Sequence, residues 1–379
     1  MSGPTIIFRT NEIFKKLEIL SAAARFDKFC SNGREGLSSR LPFKGIYYAW
    51  LASGKYIPLL KILLTNICIN DCRYCYNRRS NSIPRALLTP EEIAGLVMEF
   101  YRKGYIKGLF LSSGILRNPD YTMELMLRTA ELLRYRHGFA GYIHLKLLPG
   151  ASPELVKRAV VLADRVSSNL EFVTEEALKA WAPEKEGEIL VQNLRWVRDF
   201  LREKGVKGSA STQVIVGAAP ESDKTILKRA WYFYQKGLVK RFYYSAYVPL
   251  NEEAPAQSPP LERERRLYQA DWLLRYYGFS LDEIFSRREN LDLNLDPKLR
   301  WALENPSFFP VDIARSDYWE LIRVPGIGPA SAKKIITARK ESYLTEVSLK
   351  KMGIPLEKVS PFVTLYGKPL LPFRQLSLF

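Results

Sequence analysis

The sequence predicts an α/β protein with a parallel sheet that curls toward a barrel, followed by a small all-α domain. Three observations lead to this fold class. Apolar, strand-like stretches alternate with helical patterns between residues 61 and 250, which is typical of repeated β/α units. A segment with four prolines, 249–260, then interrupts the pattern. Near the carboxyl end, two helical patterns flank a tight P-G-I-G-P turn at 325–329.

Six strands are predicted in the central region, with helices between them. The strands are expected at 61–65, 108–112, 142–146, 165–168, 213–216 and 242–247. The clearest helix start is Thr89-Pro90-Glu91-Glu92, with Thr89 as the amino-terminal cap and Glu92 placed for a capping box. In parallel β/α barrels the functional site lies at the carboxyl ends of the strands, so we expect it there.

The same pattern divides the chain into four regions. We expect an amino-terminal extension packed on the barrel at 1–60 and the barrel itself at 61–250. A linker and helical region should follow at 251–310, because proline-rich, aperiodic stretches are typical of linkers. The carboxyl-terminal helical domain is expected at 311–379.

The composition indicates a folded, basic protein. Apolar residues make up 47% of the chain and charged residues 26%, which is ordinary for a globular protein. The 57 Lys and Arg exceed the 40 Asp and Glu, and the net charge of +17 suggests a polyanionic partner such as nucleic acid. No stretch approaches the roughly 18 apolar residues of a membrane span, and the first residues lack signal-peptide architecture. We therefore expect no membrane association and a cytoplasmic location.

The central feature of the sequence is the run 65–80, T-N-I-C-I-N-D-C-R-Y-C-Y-N-R-R-S, which holds three of the four cysteines. Cys68, Cys72 and Cys75 have the spacing C-x3-C-x2-C, and thiolates so closely spaced bind iron–sulfur clusters or zinc. A closed four-iron cluster takes four cysteines, so three would leave one iron open. Structural zinc requires four ligands, and the chain has no second cysteine pair. Three inert cysteines are the remaining alternative; we favour the cluster.

This cysteine run, with Tyr74 just before its last cysteine, resembles the radical S-adenosylmethionine (SAM) superfamily. The resemblance implies a partial six-stranded (β/α)6 barrel and a [4Fe–4S] cluster whose open iron is chelated by SAM. It further implies that one electron, from a donor such as ferredoxin or flavodoxin, cleaves SAM to a 5′-deoxyadenosyl radical. In such enzymes the cofactors carry the chemistry, and the protein holds and aims them.

The same resemblance implies SAM contacts at the ends of several strands. Tyr74 is expected beside the adenine and Lys146 at the SAM carboxylate, although a surface lysine is the alternative for Lys146. Where the family has a glycine-rich turn after the second strand, this chain has Ser112-Ser113-Gly114. Ser and Asn at such positions also cap helices. The remaining expected contacts are Ser167, Ser168 and Asn169 after the fourth strand and Gly217 in the fifth.

Cys30, the fourth cysteine, lies in a predicted exposed loop. It is either a buried apolar filler or a catalytic thiol that returns a hydrogen atom to a product radical, since loops often carry function. With a single cysteine left over, a second iron–sulfur cluster is disfavoured.

The carboxyl-terminal region resembles a helix-hairpin-helix, a motif that binds a nucleic-acid backbone without reading its sequence. Glycines in its turn allow close approach of a ligand, and the amino terminus of the second helix favours a phosphate. A tight turn used for packing or for a protein contact is the alternative, and a degenerate second hairpin is expected at 349–363. The expected nucleic-acid-binding residues are Gly326, Gly328, Ala330, Lys333 and Lys334.

Taken together, these regions resemble a family of radical SAM proteins described as acting in DNA modification or repair, with a uracil-DNA-glycosylase-like partner. The likeness includes Arg25-Phe26-Asp27 and the run 267–274. It implies an enzyme that acts on a nucleic acid or nucleotide, DNA rather than RNA. Two alternatives stay open: the same chemistry on RNA or tRNA, and a non-enzymatic nucleic-acid-binding protein whose iron–sulfur cluster senses redox state.

Overall fold

The structure is a computed structural model that describes residues 4–25, 45–50, 56–205, 208–250 and 257–370. The chain forms two compact units, which are considered separately. Unit 1 comprises residues 1–221 and 232–259, and unit 2 comprises 222–231 and 260–379. The division at residue 259 falls in the proline-rich segment that the sequence indicated as a linker.

Unit 1 is built on a curled half-barrel sheet of seven strands that follow one another in sequence order. The first two strands are antiparallel, and all other neighbours are parallel. The strands are β1 (Ile46–Trp50), β2 (Tyr56–Leu63), β3 (Gly108–Ser112), β4 (Tyr142–Lys146), β5 (Arg165–Ser167), β6 (Ser209–Val216) and β7 (Arg241–Ala246).

The six predicted strands correspond to β2–β7 and are confirmed, although β2 begins five residues and β6 four residues earlier than predicted. The prediction of six strands for the whole sheet is wrong, because β1 adds a seventh at its edge. This strand was not counted in the predicted sheet, because it pairs antiparallel with β2 and belongs to no β/α unit.

Helices separate the parallel strands. In unit 1 they are α1 (Pro4–Ala24), α2 (Pro90–Arg102), α3 (Pro119–Glu131), α4 (Pro153–Leu162), α5 (Glu175–Trp181) and α6 (Gly187–Lys204), and α7 (Asp223–Gln235) joins β6 to β7. The start of α2 confirms the predicted capping box. Thr89 accepts a hydrogen bond from the Glu92 amide, and the Glu92 carboxylate accepts one from the Thr89 amide. Such a cap stabilises a helix by about 1 kcal/mol.

The two faces of the sheet differ in polarity. Leu109, Leu111, Ile143 and Leu145 are fully buried and alternate along β3 and β4 with residues of the opposite face. That opposite face carries buried polar side chains, among them His144, Ser167, Ser211 and Gln213. A parallel sheet is usually apolar on both faces, so this polar face distinguishes the interior of the half-barrel.

Unit 2 contains short helices around a compact apolar core. They are α8 (Leu261–Tyr276), α9 (Leu281–Phe285), α10 (Pro297–Glu304), α11 (Tyr318–Leu321), α12 (Pro329–Glu341), α13 (Glu346–Lys351) and α14 (Leu356–Val359). A three-stranded sheet is also present, with strands β8 (Val311–Asp312), β9 (Val363–Leu365) and β10 (Lys368–Pro369). The prediction of an all-α domain is therefore wrong. These strands were not predicted, because strands of two or three residues are too short to show alternation.

Among the described helices, none is long and apolar enough to cross a membrane.

Candidate functional site

The cysteine loop, residues 65–80, follows β2 and lies beside the carboxyl end of β3. Cys72 is buried, and Cys68 and Cys75 are half-buried. The Cys75 amide donates to the Cys72 carbonyl (2.9 Å), and the Ile115 amide donates to Cys68 Sγ (3.4 Å). All three cysteines line one cleft. The sequence therefore placed the loop at the correct edge of the sheet.

Arg85 fixes the shape of this loop from outside the cysteine run. Its guanidinium donates to the carbonyls of Asn66, Asn77, Arg78 and Asn81, at 2.5 to 2.9 Å. Hydrogen bonds from a charged donor are the stronger kind. One side chain thus gathers four backbone carbonyls of the loop.

A second polar side chain, Asp71, joins two parts of the loop by hydrogen bonds. The Asp71 carboxylate accepts hydrogen bonds from Arg78 (3.0 Å), from the Ser80 amide (3.0 Å) and from the Ser80 hydroxyl (2.8 Å). These bonds, the Ser80 amide first, lower the pKa of Asp71 below its ordinary value. The carboxylate therefore remains ionised and holds both ends of the segment that contains Cys72 and Cys75.

The loop is also attached to a distant part of the chain, the segment 171–185 that includes α5. The Arg73 amide donates to the Trp181 carbonyl (2.8 Å), and the Asp71 amide donates to Glu184 (3.0 Å). No contact of this segment with the loop was predicted. No motif marks it, and the pairing spans more than a hundred residues.

Tyr74, Lys185 and Glu171 form a closed polar triangle next to the cysteines. Lys185 Nζ donates to the Tyr74 hydroxyl oxygen (2.8 Å) and to Glu171 Oε1 (2.9 Å), and the Tyr74 hydroxyl hydrogen-bonds Glu171. The side chains of Lys185 and Glu171 are only 11% and 7% exposed. Burial raises the pKa of Tyr74 well above its ordinary value, with the Glu171 charge as the next cause.

The ionised form of Lys185 is favoured in this setting. Burial lowers the pKa of Lys185, but the Glu171 carboxylate and the sulfurs of Cys72 and Cys75 outweigh burial, so the pKa is raised overall. The lysine therefore carries a positive charge next to two of the cysteines.

The predicted SAM-contact residues divide into two groups. Tyr74, Ser113, Gly114, Lys146 and Asn169 line the cleft together with the cysteines. The other predicted contacts lie elsewhere: Ser112, Ser167, Ser168 and Gly217 do not line it.

The four residues outside the cleft have other surroundings. Ser167 shares a hydrogen bond with the ring of His144 (2.9 Å), and Ser168 lies 3.4 Å from the Leu190 carbonyl in α6. Ser112 is buried at the end of β3. Gly217 has φ +88, and a Cβ there would lie 2.5 Å from Pro259, so its backbone packs directly on that proline.

Gly114 has a clear structural requirement. A Cβ at this position would lie 2.4 Å from the Ile67 carbonyl and 3.2 Å from Cβ of Cys68. Only glycine lets the turn after β3 pack this closely beneath the cysteine loop. The cleft also contains residues that the sequence analysis did not select, notably Asn70, Glu171, Lys185, Gln213 and Tyr247. The alternation of β6 could have pointed to Gln213. Cys30 lies outside the described residues.

A separate candidate site lies in unit 2, at the turn between α11 and α12. Gly326 has φ +90, a conformation that favours glycine. The helix α12 begins at Pro329 after Gly328 and has no side-chain cap, so its first amides are available to another acceptor. Ala330 and Lys333 are exposed. Lys334 is exposed too, but its ammonium donates to the Met352 carbonyl (3.3 Å).

The turn is supported by Lys298 of α10, which is 8% exposed. Its Nζ donates to the Ile327 carbonyl and lies 4.8 Å from the ring centroid of Tyr277. Burial lowers the pKa of Lys298 to about 7. A second helix–turn–helix follows at α13 and α14, where Gly353 has φ +81, within the region 349–363 where a second hairpin was expected.

Comparison with known proteins identifies the class of unit 1. The sequence model of the family described as Radical SAM superfamily matches residues 62–230. This part of the chain is therefore a radical SAM domain. Radical SAM superfamily enzymes use a [4Fe–4S] cluster and SAM and need an electron donor. No curated protein sequence matches the chain.

Several solved structures resemble the chain. The FeFe-hydrogenase maturase HydG from Carboxydothermus hydrogenoformans is 16% identical with a TM-score of 0.44, over 56% of this chain and 50% of HydG. Methylornithine synthase PylB is 15% identical with a TM-score of 0.42, over 55% and 61% of the two chains. HemN from Escherichia coli, a coproporphyrinogen III oxidase, is 14% identical with a TM-score of 0.35, over 48% and 44%. The matched part of the chain thus spans about half the length of HydG.

The residues of the loop fit a four-iron cluster. Burial, with the nearby Cys72 as the next cause, raises the pKa of Cys75 to about 12, and coordination to a metal deprotonates such a thiol. All three cysteines line the same cleft, as the three thiolate ligands of one cluster would.

Proposed function

We propose that this enzyme cleaves SAM reductively and uses the 5′-deoxyadenosyl radical to abstract hydrogen from a nucleic acid or nucleotide, DNA in preference to RNA. The observation that carries the nucleic-acid assignment is the uncapped start of α12 behind Gly326 and Gly328. Backbone amides at a helix amino terminus bind phosphate well. This arrangement supports a helix-hairpin-helix in unit 2.

The charge of the surrounding sequence supports the same proposal. Residues 321–370 contain nine Lys and Arg and three Asp and Glu, an excess of six positive charges. Phosphate contacts from such residues supply sequence-independent affinity. We assign backbone contacts to Gly326, Gly328, Ala330 and Lys333, and a weaker contribution to Lys334, because its ammonium is already bonded to Met352.

In unit 1 we assign the cluster to Cys68, Cys72 and Cys75, and SAM to the open iron. A cluster held there would supply the electron that cleaves SAM, and the protein's part would be to hold SAM and exclude water. Tyr74, Ser113, Gly114, Lys146 and Asn169 are the proposed SAM contacts, because they line the same cleft. Ser112, Ser167, Ser168 and Gly217 would act through packing beneath it. Cys30 remains a proposed hydrogen donor.

The proposal includes partners. A ferredoxin or flavodoxin would deliver the electron, and a uracil-DNA-glycosylase-like protein would act with this enzyme on DNA. The cytoplasm is the proposed location, since a reducing compartment suits free thiols.

The nucleic-acid assignment is tested by fluorescence anisotropy with a labelled DNA duplex at two salt concentrations. We expect Lys333→Ala to weaken binding about tenfold and to reduce the salt slope by about one. Lys340→Ala, at the other end of α12, is the matched control because it removes the same charge from an exposed position. Equal effects of the two variants would count against a phosphate site at the hairpin.

The substrate is tested by anaerobic reconstitution with SAM, dithionite and either duplex DNA or tRNA, followed by mass spectrometry of the nucleosides. We expect an altered nucleoside in the DNA sample. An altered nucleoside only in the tRNA sample would favour RNA chemistry. SAM cleavage without any altered nucleoside in either sample would contradict a nucleic-acid substrate.

A further inference from the structure

The triangle of Tyr74, Lys185 and Glu171 contains an ion pair that the family assignment does not explain. Both charged side chains line the cofactor cleft and are almost completely buried. Removing two charges from water costs several kcal/mol per ion, and a buried pair is weak evidence for stability. A pair held at this place therefore suggests a role in the chemistry of the site.

The pair is built into the fold with little freedom to move. Glu171 has φ +63, a conformation that a residue other than glycine adopts only under constraint. Its carbonyl accepts a hydrogen bond from the Ile215 amide of β6 (2.7 Å), which anchors it to the sheet.

The next residues are fixed as well. Glu221 Oε1 accepts hydrogen bonds from the amides of Val173 and Thr174, both at 2.8 Å. Phe172 packs edge-on against Tyr74, with ring centroids 5.8 Å apart. Glu171 therefore offers a fixed carboxylate to Lys185 rather than a mobile one.

Lys185 lies within electrostatic reach of the cluster ligands. It lines the same cleft as Cys72 and Cys75, and its ammonium donates to the hydroxyl of Tyr74 (2.8 Å), the residue directly before Cys75. Reduction by one electron adds a negative charge to a cluster held by the sulfurs of these cysteines. A fixed cation nearby stabilises the added charge, and in a buried site the effect is larger than in water. The carboxylate of Glu171 opposes part of this effect.

We propose that Lys185 is a positioning residue that makes the cluster easier to reduce, and that Glu171 both holds the lysine in place and limits the size of the effect. The proposal concerns only the electron-accepting step of the radical SAM domain, and it is independent of the substrate. The electron comes from the external donor, and no bond is formed or broken by either residue.

The test is an anaerobic redox titration of the reconstituted full-length protein without SAM, in which dithionite supplies electrons and electron paramagnetic resonance reports the reduced cluster. We expect Lys185→Met to shift the midpoint potential to a more negative value. Lys185→Arg, which keeps the charge, should have a midpoint potential close to that of the wild type. Glu171→Gln should shift the midpoint potential in the positive direction. Lys179→Met is the matched control, because Lys179 is an exposed lysine of the same segment; it should leave the potential unchanged.

Iron content is measured on every variant, so that loss of the cluster is not mistaken for a shift. If Lys185→Met fails to hold a cluster, the comparison of Lys185→Arg with Glu171→Gln decides, since only an electrostatic role gives Glu171→Gln a positive shift. A potential unchanged in Lys185→Met, or shifted equally in Lys185→Met and Lys185→Arg, would overturn the proposal.

Discussion

The cysteine loop of unit 1 and the hairpin turn of unit 2, residues 322–328, are held in shape by different means. The cysteine loop depends on polar side chains, chiefly Arg85 and Asp71, which bind its backbone. The hairpin turn depends mainly on its own backbone and on apolar packing, with one polar side chain, Lys298, bonded to the Ile327 carbonyl. The Ile327 amide donates to the Val324 carbonyl (3.0 Å), and Val324 and Ile327 are buried in the core of unit 2.

The difference fits what each loop is proposed to present. A loop that offers three sulfurs to one centre turns its side chains inward, so its carbonyls need partners from elsewhere. A turn that offers amides to a phosphate keeps its side chains in the core and its backbone outside. Substitutions should therefore damage the first loop through lost polar contacts and the second through lost backbone freedom or packing.

The largest expected effect comes from the sulfurs themselves. Cys68→Ala should reduce 5′-deoxyadenosine formation by reduced, anaerobic protein to background, because one cluster ligand is lost. Cys30→Ala is the matched control: it removes the only other cysteine of the chain and should leave iron content and 5′-deoxyadenosine formation intact. Unchanged 5′-deoxyadenosine formation in Cys68→Ala would refute the ligand assignment.

The next effect tests the dependence of the loop on side chains. Arg85→Met removes four hydrogen bonds to carbonyls and should lower the free energy of unfolding by about 3 kcal/mol. Amide hydrogen exchange in residues 65–81 should accelerate more than in β3. Arg79→Met removes an exposed arginine with one long contact (3.3 Å) and should cost at most about 0.5 kcal/mol. Similar costs for both variants would mean that Arg85 does not organise the loop.

Sequence alone predicted the parts of both regions that depend on local patterns. The cysteine spacing, the capping box at Thr89 and the glycines of the hairpin each act within a few residues. The contact of the Lys185–Glu171 pair with Tyr74 was not predicted, because Tyr74 and Lys185 are 111 residues apart and nothing in the sequence links them. Ser167 shows a second limit. Ser167 lies on the same polar face as Gln213, but it hydrogen-bonds the His144 ring and does not line the cleft; alternation indicates the face of a residue and not its distance from the cofactor.

Lys298, a buried ionisable side chain that donates to the Ile327 carbonyl of the hairpin turn, tests this comparison through pH. The folded pKa of Lys298 is about 7, against 10.5 for an ordinary lysine. Between these values the unfolded chain binds more protons than the folded one, so the free energy of unfolding rises with pH. The rise should amount to about 2 kcal/mol from pH 7 to 9, at up to about 1.4 kcal/mol per pH unit.

Urea unfolding of unit 2 at pH 7, 8 and 9 measures this dependence. The free energy of unfolding of Lys298→Met should be constant over the pH range in which that of the wild type rises. In Lys333→Met, which removes an exposed lysine, the free energy of unfolding should still rise with pH. A wild type whose stability is constant or falls between pH 7 and 9 would show that Lys298 is not buried as a neutral amine.

The smallest effects separate backbone freedom from packing in the two hairpins of unit 2. Gly326 and Gly353 have similar backbone angles, with φ +90 and +81. A Cβ at Gly326 would lie 3.2 Å from Pro355 and 3.3 Å from Val359, whereas a Cβ at Gly353 would meet nothing within 4 Å. Gly353→Ala should cost about 1 kcal/mol of stability from backbone strain alone, and Gly326→Ala about 2 kcal/mol. Because the strain term is shared, the difference measured by urea unfolding reports how tightly the first turn packs on α14, and equal costs would show that the turn adjusts freely to an added methyl group.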